Sequence, residues 1–100
     1  MDFMNAKEAQ ELSRKNKEAR IKYYLNNIDH DRKAQAIKRE IEKTVRNGET
    51  CAYVHFWTST DDDRMTAIER YFTDLGYDVF FDKKRCRVRL YRLNLLRIHR

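Results

Sequence analysis

The residues with the strongest chemical bias stand at the end of the chain. From position 83 to 100 there are eight basic side chains and no acid, whereas residues 51–82 carry two basic and seven acidic ones and residues 1–50 carry twelve and nine. The formal charge of +6 over 100 residues therefore combines an acidic centre with a basic end. Guanidinium forks match phosphate geometry, and a nearby aromatic ring can stack on a base. Lys83, Lys84, Arg85, Arg87, Arg89, Tyr91, Arg92 and Arg97 are accordingly the candidate polyanion-binding residues. Their alternative use is structural: pairing with Asp78 and Asp82 across a hairpin, or with acids of another subunit. The sequence has no recognition-helix motif, zinc finger or aromatic single-strand-binding signature, so base-specific readout is not expected.

Other chemistries find little support. Two glycines are too few for a phosphate-cradling loop. His30, His55 and His99 are scattered, and no Ser-His-Asp or Cys-His arrangement follows from their spacing. Cys51 and His55, four apart, would share one face of a strand. A tetrahedral zinc site needs four ligands, and Cys86 is the one further donor the hairpin offers. A buried thiol and a core histidine are the expectation, with no metal and no cofactor. The acids Asp61, Asp62 and Asp63 suit the positive end of a helix. No residue is assigned a catalytic role, and the chain is expected to be a binding protein rather than an enzyme.

The elements that must position the basic run are readable from capping and periodicity. Asn5 with Glu8 forms a cap pair ahead of good helix formers. Glu11 with Lys15, Glu18 with Lys22 and Glu42 with Arg46 stand at helical spacing. Apolar stripes at Ile21, Tyr24 or Leu25 and Ile28, then at Ala34, Ile37, Ile41 and Val45, are out of phase across residues 26–31. Two helices, about 5–27 and 30–47, or one kinked helix, are predicted. Residues 6–19 offer little for burial and read as a solvated arm or an oligomer contact. Gly48 and Gly76 sit where helices stop.

Residues 51–57, rich in aromatic and β-branched types, predict a strand apolar on both faces, hence central. A Ser or Thr cap among Thr58, Ser59 and Thr60 opens a helix whose buried stripe is Met65, Ile68, Phe72 and Leu75. Tyr77, Val79 and Phe81 alternate with Asp78, Phe80 and Asp82. After a polar turn, Cys86, Val88 and Leu90 alternate with Arg87, Arg89 and Tyr91. That is a β-hairpin after a β-α-β unit with a right-handed crossover. The expected fold class is α+β: one domain, with a helical arm over 5–47, a β-α-β-β unit over 50–92 on a small three-stranded mixed sheet, and an apolar, basic tail over 93–100. Leu93, Leu95, Leu96 and Ile98 in that tail need burial, by extending the last strand, by forming a helical turn on the sheet or by docking on another chain. With the arm and the aromatic-rich strand 53–57, this makes a homo-oligomer an expectation.

An Asn5-Ala6-Lys7-Glu8-Ala9 opening, a helix ending Arg46-Asn47-Gly48-Glu49, a strand, and a helix ending Asp74-Leu75-Gly76-Tyr77 before a hairpin resemble small accessory proteins of tailed bacteriophages. The resemblance implies an infected bacterial cytoplasm and a part in host takeover, counter-defence or phage DNA metabolism. It carries over no functional residue. With 41% apolar and 38% charged residues, the chain is too apolar for wholesale disorder and too polar for a membrane protein. No run approaches about 20 apolar residues and no secretory signal opens the chain. Two cysteines fit a reducing cytoplasm. Three functions remain open: binding nucleic acid or a phosphate ligand, inhibiting or adapting a host protein, and sequestering a nucleotide between subunits.

Overall fold

The computed structural model describes residues 3–90. Helix α1 spans Ala6–Asn26, a 3-10 turn spans Ile28–His30, and α2 spans Arg32–Arg46. Strand β1 spans Cys51–His55, α3 Asp62–Asp74, β2 Asp78–Asp82 and β3 Arg85–Arg89. The class is α+β.

Local chemistry accounts for the element ends. Asn5 and Glu8 form a reciprocal capping box at α1, each side chain accepting the other's backbone N–H at 2.9 and 3.0 Å. The break between α1 and α2 falls in the predicted place, where Asp31 caps α2 by accepting from Lys33 N and Ala34 N. Helices α2 and α3 close in the same way. Gly48 (φ +71°) and Gly76 (φ +101°) take the left-handed conformation. Gly48 N and Glu49 N then donate back to Val45 O and Thr44 O, and Gly76 N and Tyr77 N to Thr73 O and Phe72 O. Helix α3 is capped by Asp61 rather than by a Ser or Thr. Thr60 is buried instead, as acceptor of the Lys33 ammonium at 2.6 Å. Leu75, expected in the buried stripe, is the C-cap residue and is exposed.

The sheet order is β1-β3-β2, and both pairings are antiparallel. The expected mixed sheet is thus corrected. The connection of Lys83 and Lys84 folds β3 directly back on β2, and the free edge of β3 then pairs with β1. Strands β1 and β2 run the same way but are not neighbours in the sheet, so no parallel ladder forms. The central strand is β3, and β1 is an edge. Its inner face carries buried Ala52 and half-buried Val54, while Tyr53 is exposed on the outer face.

One core lies between the inner sheet face and the helices. Ile37 and Ile41 of α2, Ile68 and Phe72 of α3, and Ala52, Phe81, Cys86 and Val88 of the sheet pack together with Ile28 and Ala34. Helix α1 lies along α3 and buries only Ile21. Ion pairs fix it instead: Lys17 Nζ to Asp63 Oδ1 at 2.7 Å, Arg20 Nε to Asp63 Oδ2 at 2.8 Å and Arg20 Nη2 to Asp61 Oδ2 at 3.1 Å. Arg64 donates twice to Asp31, at 2.7 and 2.8 Å, joining α3 to the cap of α2.

Candidate nucleic-acid interface

Side chains in register across an antiparallel sheet share a face, so the pairings arrange the outer face as three rows. Cys51, Arg89 and Asp78 form one, Tyr53, Arg87 and Phe80 the second, and His55, Arg85 and Asp82 the third. The arginines occupy the central strand in every row. Their inward neighbours Cys86 and Val88 are buried in the core, and this alternation leaves the guanidinium groups no other side to take. Among the described residues, no helix packs on this face.

The middle row carries the main apolar surface. Tyr53 is 68% and Phe80 58% exposed, and two interstrand spacings put them about 10 Å apart. Arg87 stands between them, its Cζ 5.5 Å from the Phe80 ring centroid. In the first row Arg89 Nη1 lies 3.8 Å from Asp78 Oδ2. Arg85 and Arg87 form no ion pair among the described residues, although Asp82 stands opposite Arg85. A shallow concavity of about 520 Å³ runs over Tyr53, His55, Phe80, Asp82, Arg85 and Arg87. A second of about 510 Å³ adjoins it through His55, Asp82 and Arg85 and continues to Lys83, Lys84 and Ser59 at the turn. The side chain of Cys51 holds the Tyr53 hydroxyl above its ordinary pKa of 10.0, with the charges of Arg87 and Arg89 opposing.

The segment after β1 brings in Trp57, which is 96% exposed. Phe56 N donates to Lys84 O at 2.6 Å, tying the segment to the hairpin turn. From below, Lys33 Nζ donates to Thr58 O at 2.8 Å and to Thr60 Oγ1, and lies 5.1 Å from the Phe56 ring centroid. Burial lowers the Lys33 pKa, helped by the Arg64 charge and opposed by Asp31.

Of the predicted binding residues, Arg85, Arg87 and Arg89 come together on one face and Lys84 stands at its end. Lys83 is drawn away: its ammonium meets Asp62 Oδ1 at 2.5 Å, its N–H points to Met65 Sδ, and its own φ is +52°. Tyr91, Arg92 and Arg97, and the apolar tail residues, lie outside the described residues. Cys51 and His55 share the outer face as expected, but His55 is exposed and not a core residue. Cys86 is on the opposite face, its thiol pushed up to about 12 by burial and by Glu69. Among the described residues no cluster of His, Cys, Asp and Glu could hold a metal ion, and no helix is long and apolar enough to cross a membrane.

Tyr53, Phe80 and Trp57 are surface residues that sequence reasoning did not assign to the site. A signal for two of them existed. Phe80 lies two residues from both Asp78 and Asp82, hence on their polar face, and a two-residue turn at Lys83 and Lys84 sets it opposite Arg87. Tyr53 alternates with core-facing Ala52 and Val54 in the same way. Compared with protein families, with curated proteins and with solved structures, the chain matches none.

Proposed function

We propose that this chain is a non-enzymatic binding protein that takes nucleic acid on the open face of its sheet. Arg85, Arg87 and Arg89 contact phosphates, with Lys84 at the turn. The observation that carries this reading is how the charges are spent. The acidic centre is the natural internal competitor for the arginines, yet Asp61 and Asp63 are held by Lys17 and Arg20, and Asp62 by Lys83. The carboxyl of Asp63 is kept below its ordinary 3.8 by hydrogen bonds from Lys17 and Arg20. Of the hairpin acids, Asp78 lies 3.8 Å from Arg89 and Asp82 stands opposite Arg85 without an ion pair, so Arg85 and Arg87 form no ion pair among the described residues. The pairing of Asp61, Asp62 and Asp63 weighs against the acidic start of α3 as a protein-docking surface. The phage resemblance supplies the proposed setting, an infected bacterial cytoplasm.

The test is titration of a labelled oligonucleotide at several salt concentrations. Affinity that falls steeply with salt, and is lost in the R87E/R89E double variant, supports the reading. Salt-independent binding, or full affinity in the double variant, contradicts it.

A second reading, self-association through the arm, rests on Phe3, Met4 and Leu12, which are 84%, 42% and 48% exposed. Met4 and Leu12 border an open groove with Lys17 and Arg20. Sedimentation should then detect an oligomer that Leu12→Glu returns to monomer; a wild-type monomer at all concentrations removes this reading.

A further inference from the structure

We infer that the ligand of this face is single-stranded nucleic acid, held by stacking of unpaired bases on Tyr53 and Phe80 on either side of Arg87. The inference rests on the polyanion reading and narrows it. Phosphate recognition needs cations alone, and an antiparallel sheet with helices on one side ordinarily keeps its other side polar. Here the middle row places two largely exposed rings beside the central arginine. Every base offers a π-face to such rings, so stacking tolerates any sequence. The guanidinium of Arg87, lying against Phe80, is a third flat surface between them, and it alone is cationic.

The charges around the rings give the strand a path. Arg89 and Arg85 stand in the rows before and after Arg87 on β3, so phosphates can follow the central strand. Asp78 and Asp82 flank Phe80 on β2. They repel phosphates from that edge and offer acceptors to the exocyclic amines of bases stacked there. Beyond the last row, Lys84 lines the adjoining concavity with one more cation, and Trp57, two residues past the end of β1 and 96% exposed, offers one more ring near that end. A duplex keeps its base faces inside the stack, so it can use the arginines but not the rings.

Fluorescence anisotropy with an oligothymidylate of about 20 nucleotides, longer than common site sizes, and with a duplex of equal length tests the inference. Tight binding of the single strand over the duplex is expected, with quenching of Trp57, the only tryptophan in the chain. Tyr53→Ala and Phe80→Ala should each weaken single-strand binding by roughly 5- to 150-fold and leave its salt dependence unchanged. Tyr53→Phe should retain binding, and Tyr23→Ala, at a ring 64% exposed on α1, should have no effect. Equal affinity for duplex and single strand, with both ring variants indifferent, overturns the stacking inference and leaves the polyanion reading standing. Absence of salt-sensitive binding to either probe overturns both. A wild-type dimer that the ring variants dissociate, with no oligonucleotide bound, assigns the face to a second copy and overturns the inference.

Discussion

Arg87 rests against the ring of Phe80, with 5.5 Å from its Cζ to the ring centroid. The two are cross-strand partners on the β2–β3 hairpin, so the turn that sets the register also sets this contact. A guanidinium held along a ring surrenders less side-chain freedom when a phosphate arrives, and its remaining N–H donors stay available. Replacing Arg87 with Lys keeps the charge and removes the planar fork. Affinity for single strands should fall by about 2- to 5-fold, with the slope of log affinity on log salt unchanged, because the number of neutralised phosphates is the same. Titrations across a salt series read both quantities.

Stability depends on a second arginine contact. Asp31, whose side chain is 7% exposed, both caps α2 and receives Arg64 of α3. Burial alone would raise its pKa. The Arg64 hydrogen bonds and the backbone N–H groups of Ala34 and Lys33 outweigh burial and hold it below 3.8. A carboxyl depressed in the folded state adds stability that is complete above its unfolded pKa and is lost as pH falls through its folded one. Asp31→Ala should cost about 2–4 kcal/mol at neutral pH, since cap and partner are both lost. Asp31→Asn keeps the cap acceptor and should cost about 1–2 kcal/mol. The difference between Asn and wild type should shrink below pH 3.8, as denaturant melts at the two pH values will measure.

The two cysteines should separate in reactivity. Cys86 faces the core with its thiol pushed up to about 12, and the thiolate is the reactive form. Cys51 is half-buried at the start of an edge strand. Alkylation of the native protein followed by mass spectrometry should find label on Cys51 and leave Cys86 unmodified until denaturant is added. Equal labelling of both under native conditions would contradict the inward placement of Cys86.

Gly48 and Gly76 isolate a purely conformational cost. A Cβ built at either meets nothing within 4 Å, so only the positive φ penalises a side chain. Gly48→Ala and Gly76→Ala should each lose about 1 kcal/mol, a Tm drop of roughly 4–8 °C in a domain of this size. Gly48→Asn should lose less, because Asn tolerates the left-handed region. Thermal melts of the three variants provide the comparison.

Local features were legible in the sequence, and relationships between distant elements were not. The Asn5–Glu8 box, the two closing glycines and the alternation of Arg85, Arg87 and Arg89 with Cys86 and Val88 are decided within a few residues. So were the two N-terminal helices and the hairpin. Strand order was different. Residues 51–57 look apolar on both sides, which suggested a central strand, but an edge strand can carry Tyr53 outward where no helix covers it. The acids at 61–63 read correctly as a helix start. The partners of Asp61 and Asp63, Lys17 and Arg20, lie more than 40 positions away, and no local pattern announces that α1 folds back along α3. That Tyr53 and Phe80 flank Arg87 in one row follows only from β3 standing between their strands.

The central claim is that binding occurs on the outer sheet face, and chemical-shift mapping tests it most directly. Amide and arginine side-chain signals of the labelled chain would be followed while an oligothymidylate is added. The account predicts the largest changes at Tyr53, Phe80, Arg85, Arg87 and Arg89 and at the Trp57 indole N–H, with Asp61, Asp62, Asp63 and the helical face unmoved. Changes confined to α1, or to the acidic start of α3, with β3 silent would contradict it.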